Sequence, residues 1–321
     1  MYAFNIIIKN SNPNYEEFIS DCYQLVSDLE RSSQIVPRKH LVSLKGDTIT
    51  IPVSCPEKNS LAFENGSIYY IKNRIKIENA CGNKIQYVLL GREAENLKYK
   101  IPTNSSFYIL RSGWNFPLFC GDTEIEVPLY KIPKTDHDGE DYDNVYFWNR
   151  DYQRLYGLWL SSGAYEQFAE EQLQDPWSDI NKKGRGLCTL IEKLTGVPTY
   201  YFMHNYRSWS AEKDKQQKCP ITSNSWYIDG KTSDDFIAFK CDESRLVSEL
   251  STNSTEDEEP LHRRHFNLSG KLLNFTIEAV DFRIKSYQEQ KNNENISEDD
   301  YSEMTNDILV LKTIKRYLEG N

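Results

Sequence analysis

The sequence predicts an α+β protein with a strand-rich amino-terminal region, central helices that lead into a β-hairpin unit, and a carboxy-terminal extension that ends in a helix. Three observations predict this class. Short apolar runs separated by Gly, Pro and Asn fill residues 42–130, apolar residues at three- and four-residue spacing fill residues 152–194, and residues 297–316 repeat that helical spacing. The expected regions are 1–133, 144–250 and 251–321.

The first region begins with a strand and a helix. The apolar run at 2–8 is followed by the polar residues 10–14, which predict a turn. Five apolar residues then recur at helical spacing and form one stripe, namely Phe18, Cys22, Leu25, Val26 and Leu29. Further strands are expected at 48–53, 67–71, 85–90 and 107–110.

A polar loop at 134–143 separates the first region from the second. Three helices are expected there, ending near Gly163, before Asp175 and near Gly196, and residues 199–203 are expected to return to a strand. We expect Trp177 to pack between these helices.

The extension carries most of the negative charge. Residues 241–321 hold 17 of the 48 acidic residues and 10 of the 38 basic ones, and the net charge of the whole chain is −10. Residues 251–260 are expected to form a solvated linker, and 272–284 fit either a strand or a helix. In the last helix Ser297 can cap the amino terminus, and the expected buried face contains Tyr301, Met304, Ile308, Leu311 and Ile314.

Composition excludes several classes of protein. An acidic balance disfavours general affinity for nucleic-acid phosphates, and no apolar run reaches the ~18 residues of a membrane span. The amino terminus has no positively charged leader, so a cytoplasmic location is expected. Seven cysteines, an odd number, are unlike a secreted disulfide scaffold, and we expect most of them to be small buried hydrophobic residues.

Half of a zinc-ribbon pattern lies between residues 219 and 244. A zinc ribbon uses two Cys-x-x-Cys turns, because four thiolates must reach the corners of a tetrahedron. Here Cys219 is followed by Thr222 and Cys241 by Ser244, so each turn keeps its first cysteine and has a hydroxyl in place of the second. The spacing between the two turns falls within the usual ~15–20 residues.

The sequence around these turns resembles a bacterial family of zinc-ribbon-containing proteins of unknown function, to which nucleic-acid binding is ascribed. The resemblance covers roughly residues 117–250 and is carried by the segments 158–166, 184–192, 196–201, 219–228 and 235–248. Cys120 and the residues up to Thr123 are similar to a further eroded turn. The family implies a ribbon-like β unit; this chain is then a degenerate member, with half of the ribbon cysteines missing.

The missing cysteines predict that zinc is lost. A hydroxyl stays protonated at neutral pH and is a poor zinc ligand, so Cys219 and Cys241 are expected to pack as reduced thiols, supported by Trp226, Phe236 and Phe239. A replacement ligand from His204 is disfavoured. No cofactor is expected.

Other motifs are weaker. Residues 136–139 resemble the start of a calcium loop, but its twelfth position is Phe147, so a solvated turn is favoured. His262 and His265 flank two arginines without a metalloprotease pattern, and Cys188 lies in an apolar run. No catalytic set is found, and the protein is not expected to be an enzyme.

The predicted function is therefore non-catalytic binding or inhibition of another protein in the bacterial cytoplasm, for instance by an immunity protein that neutralises a cognate toxin. No membrane partner is expected. The candidate partner-binding residues are acidic, since they complement a cationic partner: Asp138, Glu140, Asp141, Asp143, Glu256, Asp257, Glu258 and Glu259. The alternative is nucleic-acid binding of the zinc-ribbon type, for which the candidate contacts are Lys182, Lys183, Arg185, Arg207, Lys213, Lys215 and Lys218.

Overall fold

The computed structural model describes residues 1–9, 15–161, 163, 165–205, 207–208, 211–251, 253–254, 270–292 and 296–319. The chain forms two units, residues 1–260 and residues 261–321. The first unit contains both strands and helices, and the described residues of the second are mainly helical, so the α+β class is confirmed.

The first unit begins with a four-stranded sheet and two helices. In chain order these elements are β1 (Tyr2–Lys9), α1 (Tyr15–Arg31), β2 (Ser43–Lys45), β3 (Thr48–Cys55), α2 (Ile68–Cys81) and β4 (Gln86–Arg92). The strands lie in the order β2-β3-β1-β4, and every neighbouring pair is antiparallel. This is the ferredoxin-like arrangement, in which two β-α-β units interleave.

Both helices cover one face of this sheet. Phe4, Ile6 and Ile8 of β1 share a core with the predicted apolar stripe of α1, all five residues of which are buried. Because side chains alternate across a strand, Asn5 of β1 and its partner Pro52 of β3 lie on the opposite face.

Residues 67–71, expected as a strand, instead begin helix α2. The hydroxyl of Ser67 accepts a hydrogen bond from the backbone N–H of Tyr70 at 3.3 Å, and Gly82 ends the helix with φ +64°. Tyr70 and Ile77 are completely buried in the core under the sheet. The aromatic and β-branched composition of this run is typical of a strand, but the cap and the buried helical face decide its conformation.

A six-stranded sheet, a separate pair of short strands and four α-helices make up most of the described remainder of the first unit. In chain order the elements are β5 (Tyr108–Leu110), β6 (Leu118–Cys120), β7 (Glu126–Val127), α3 (Asp143–Leu160), α4 (Glu166–Gln174), α5 (Asp179–Thr195), β8 (Thr199–Met203), β9 (Arg207–Ser208), α6 (Ala211–Lys215), β10 (Phe239–Cys241), β11 (Leu246–Ser248) and β12 (Asn253–Ser254). The sheet order is β10-β11-β8-β5-β6-β7, and β8 is parallel to both β11 and β5. Strands β9 and β12 form a separate pair.

Trp148 of α3 lies at the centre of the second core. Its indole N–H donates to the carbonyl oxygen of Ile180 at 3.1 Å, and its ring centroid lies 5.9 Å from that of Tyr201. The Tyr201 hydroxyl donates to Oδ1 of Asn181 at 2.6 Å. A Cβ at Gly184 would lie 2.1 Å from the Tyr201 ring, so α5 approaches β8 closely because residue 184 has no side chain.

The prediction for Trp177 is wrong. Its side chain is 51% exposed, and the guanidinium of Arg185 lies 5.1 Å from the ring centroid. Smaller side chains fill the space beneath α4 instead, and Ala169 and Leu173 are completely buried there.

The second unit contains helices α7 (Gly270–Lys291) and α8 (Glu298–Glu319). The Lys291 ammonium donates to the Thr305 hydroxyl at 2.6 Å, and Lys315 pairs with Asp281 at 2.7 Å. The end of α7 therefore lies beside the beginning of α8, so the two helices are antiparallel. The predicted cap is confirmed, since the Ser297 hydroxyl accepts a hydrogen bond from the backbone N–H of Asp300.

The predicted buried face of the last helix is confirmed in part. Ile308 is buried and Met304 and Leu311 are half-buried, whereas Tyr301 and Ile314 are exposed. None of the described helices has the length and apolar character needed to cross a membrane.

Candidate functional site

The four predicted ribbon positions lie together in the structure. The Cys219 sulfur is 3.2 Å from the Ser244 hydroxyl, and the Thr222 hydroxyl is 3.5 Å from the Cys241 sulfur. Both cysteines are buried. These four side chains are called the cysteine cluster below.

Two tight turns position the cysteine cluster. In the first, the backbone N–H of Ser223 donates to the carbonyl of Cys219 at 2.8 Å, and Ser223 has φ +60°. In the second, Arg245 stands four residues after Cys241 and has φ +54°. Such left-handed conformations favour glycine. Ser223 and Arg245, which carry a Cβ, therefore adopt them at a cost in conformational energy.

A third turn of the same kind begins at Cys120. Glu124, four residues later, has φ +58°, and its backbone N–H donates to the carbonyl of Cys120 at 2.8 Å. The Cys120 sulfur lies near the carbonyl of Asn104 and a carboxylate oxygen of Asp122, at 3.9 and 3.8 Å. The predicted eroded turn is present in the backbone, but its sulfur has no second cysteine beside it.

The environment of Cys241 favours its thiolate. Burial opposes the charged form, but hydrogen bonds from Ser244, Thr222 and Cys219 outweigh burial and hold the pKa of the Cys241 thiol below its usual value. The donor set is nevertheless two sulfurs and two hydroxyls. A structural zinc site uses four Cys, His or carboxylate ligands, so these residues do not fit the zinc that the resemblance implies.

Aromatic packing supports the hairpin that carries Cys241. The ring centroids of Trp226 and Phe239 lie 5.0 Å apart, and both side chains are buried. Phe236, expected to share this role, packs elsewhere, against Phe119 and Phe202.

The acidic loop residues differ in their environment. Asp138 and Glu140 are exposed, as a partner-binding role requires. Asp141 is completely buried, so a partner cannot contact its carboxylate. Asp143 is half-buried and pairs with Arg31 at 3.2 Å, so its charge is already offset within the protein. The remaining candidates, Glu256, Asp257, Glu258 and Glu259, lie outside the described residues.

Several basic candidates for nucleic-acid contact interact within the protein. Lys182 pairs with Asp179 at 2.8 Å, Arg185 stacks on Trp177, and the Lys215 ammonium lies 5.8 Å from the Tyr227 ring centroid. Lys183, Lys213 and Lys218 are exposed. The side chain of Arg207 lies outside the described residues.

His204 packs against aromatic side chains of the second core, and Cys188 lies within that core. The His204 ring lies edge-on to Tyr156 and Trp159, with centroids 6.1 and 5.3 Å away. Cys188 is buried, and burial raises the pKa of its thiol. The segment with His262 and His265 lies outside the described residues.

The strand expected at 85–90 is present as β4, but its exposed apolar edge was not predicted. It lies at the edge of its sheet and, among the described strands, pairs with β1 alone. Val88, Leu89 and Leu90 are 40%, 44% and 59% exposed. Three consecutive apolar residues break the alternation of apolar and polar residues that is typical of a half-buried strand. This break in the sequence pattern could have indicated exposed apolar surface on β4.

Comparisons with known proteins place the chain in a family. Residues 102–204 match a family described as a domain of unknown function, DUF2310, and residues 209–254 match another so described, DUF8594. An uncharacterized protein of Haemophilus influenzae is 30% identical over 209 residues, which are 63% of this chain and 77% of that protein. The chain belongs to this bacterial family of unknown function.

A second uncharacterized protein of the same species is 35% identical over 138 residues, which are 43% of this chain and 66% of that protein. No solved structure matches the chain. The matched ranges include the residues that carried the predicted resemblance, and neither family description mentions zinc or nucleic acid.

Proposed function

We propose that this protein acts by binding another protein in the bacterial cytoplasm, without catalysing a reaction, and that its partner is a toxin that it inhibits, as an immunity protein does. The observation that carries the proposal is the exposed edge of β4. A free strand edge presents backbone N–H and C=O groups, which an extended segment of a partner can pair with as an added strand.

The apolar side chains of β4 also support the binding of a partner protein at this edge. Proteins commonly protect an open edge with charged residues, whereas here Val88, Leu89 and Leu90 present apolar surface beside the edge. A bulge between Leu89 and Gly91 leaves the regular edge at 86–89, which is long enough for a short added strand. The exposed carboxylates of Asp138 and Glu140 are suited to attract a cationic partner.

The experiment combines binding with a matched control. The full chain is co-purified with the product of the adjacent gene, and the affinity of the complex is measured by calorimetry. The double variant Val88→Lys, Leu90→Lys is expected to weaken binding at least ~10-fold, because two charges enter the apolar contact. Leu44→Lys, at a 46% exposed position on the opposite edge strand β2, is expected to leave affinity unchanged.

Two results would contradict the proposal. One is the failure of every neighbouring gene product to bind the chain. The other is an equal loss of affinity in the Leu44→Lys control, since this would separate binding from the edge of β4.

The alternative function is nucleic-acid binding of the zinc-ribbon type. The observation in its favour is the convergence of the two turns in the cysteine cluster beside the exposed Lys218. Ferredoxin-like sheets that bind RNA stack bases on aromatic residues of the open face, whereas Asn5 and Pro52 occupy this face here. Binding that falls steeply with added salt would support this alternative.

A further inference from the structure

The loop before α3 brings one imidazole and two carboxylates together. Ligand atoms of Asp136, His137 and Asp141 all lie within 4.8 Å of one another, and Nε2 of His137 is 3.8 Å from Oδ2 of Asp141. In the described part of the chain this is the only such group of three His, Cys, Asp or Glu side chains. These three residues are called the loop cluster below.

Backbone hydrogen bonds hold the loop cluster in place. Asp136 and Asp141 form an isolated antiparallel bridge, and the backbone N–H of Thr135 donates to the Asp141 carbonyl at 2.9 Å. The Thr135 hydroxyl is 2.6 Å from Oδ1 of Asn144 in the first turn of α3. These bonds hold the backbone of Asp136 beside that of Asp141.

Asp141 supplies an independent indication of a cation. Its side chain is completely buried, and Oδ1 accepts a hydrogen bond from the backbone N–H of Asp143 at 2.9 Å. Oδ2 is buried without a hydrogen-bond partner and faces His137. The 3.8 Å to Nε2 of His137 is too long for a hydrogen bond, and a buried carboxylate oxygen without a hydrogen bond is costly. The guanidinium of Arg31, which could offset this charge, pairs with Asp143 instead.

We propose that the loop cluster binds a divalent transition-metal cation of the Zn²⁺ or Co²⁺ type. Bonds of 2.0–2.2 Å to a tetrahedral ion place two ligand atoms roughly 3.4 Å apart. The 3.8 Å between His137 and Asp141 is close to this value, and Asp136, whose ligand atom lies within 4.8 Å of the other two, reaches the same ion by a side-chain movement of about 1 Å. An imidazole ligand disfavours Ca²⁺ and Mg²⁺, which prefer oxygen. The two carboxylates neutralise the charge of the ion. Because His137 is exposed, the remaining coordination positions of the ion are open to water.

Cobalt titration of the full chain tests this site. Co²⁺ is added while heat and visible absorption are recorded, and about one equivalent is expected to bind without the intense near-ultraviolet band of a thiolate ligand. His137→Ala and Asp141→Asn are expected to lower the affinity at least ~10-fold. Asp138→Asn, in the same loop but outside the cluster, and Cys241→Ser are the controls and are expected to bind as the unaltered chain does.

Several results would overturn the proposal. These are the absence of Co²⁺ binding, retention of binding in His137→Ala, and tighter binding of Ca²⁺ than of Co²⁺. Loss of binding in Cys241→Ser would assign the ion to the cysteine cluster instead. Because His137 is exposed, its variant is expected to fold, and circular dichroism checks this; the decision then does not depend on the buried Asp141. The outcome is independent of whether β4 binds a partner.

Discussion

The folded protein favours the neutral form of the His204 imidazole. It lies between the rings of Tyr156 and Trp159, and burial, followed by the positive charge of Arg111, lowers the pKa of its imidazole to about 4. In the unfolded chain this pKa is about 6.5. Between these values the unfolded state binds more protons than the folded state, so stability decreases as the pH falls from 6.5 to 4.

Replacing His204 by Phe is expected to remove this part of the pH dependence. The two pKa values correspond to up to about 3 kcal/mol of unfolding free energy. Urea unfolding of both proteins at pH 7 and pH 4 measures it, and the stability of the variant relative to the unaltered chain should rise by about 2–3 kcal/mol at the lower pH. A constant difference between the two proteins would contradict the argument.

Gly184 and Gly186 of α5 form a natural matched pair. A Cβ at Gly184 would meet the buried rings of Tyr201 and Trp148, whereas a Cβ at Gly186 would have no atom within 4 Å. We expect Gly184→Ala to destabilise the protein by about 1–3 kcal/mol through overpacking. Gly186→Ala should stabilise it by up to about 1 kcal/mol, because Ala favours the helix. Thermal unfolding measures the change in stability of each variant. A change of the same sign in both variants would contradict the close packing of α5 on β8.

The two tight turns of the cysteine cluster bring their side chains together but lack two of the four ligands of a structural zinc site. Ser223 and Arg245 both adopt left-handed conformations, which cost L-residues about 1–2 kcal/mol each. The turns therefore persist through hydrogen bonds and the packing of Trp226 on Phe239. Only the side chains at residues 222 and 244 depart from what a zinc site needs.

Restoring two thiols is expected to restore a metal site. In a His137→Ala background, which removes the loop cluster, the double variant Thr222→Cys, Ser244→Cys should bind one equivalent of Zn²⁺. Its Tm should rise with zinc by at least roughly 5 °C, since zinc binds the folded state preferentially. Metal analysis and calorimetry measure both effects.

The matching control is Thr123→Cys, which pairs with Cys120 in the third turn. That turn has the same backbone hydrogen bond, and the Asp122 carboxylate lies near its sulfur, but within the described residues no group of three possible ligands includes Cys120, so no zinc is expected there. Failure of the double variant to bind zinc would show that the geometry of the cysteine cluster differs from that of a ribbon.

Across the whole chain, local sequence patterns determine the helices and strands more strongly than they determine which distant side chains meet in a site. The stripe of α1, the strand at 199–203 and the cap at Ser297 follow from nearest neighbours along the chain, and they are confirmed. The convergence of Cys219 with Ser244 also followed from spacing. The burial of Asp141 depends on distant packing, which spacing alone does not encode.

The errors have the same origin. Residues 67–71 have strand composition, but the cap at Ser67 and the core under the first sheet select a helix. Trp177 has the size of a core residue, yet smaller residues fill the space beneath α4. In both cases tertiary contacts overrode a local preference.

The position of β8 has a consequence for the order in which the chain folds during synthesis. The first sheet is complete once residue 92 has been made, because its last strand is β4. Strand β8 is buried along its whole length, but it needs β5 on one side and β11, which ends at Ser248, on the other. Such non-local parallel pairing is slow. On the ribosome, the first sheet can therefore fold early, while the apolar strand β8 waits without one neighbour until the β11 residues emerge, and in that interval a chaperone or a premature contact can reach it.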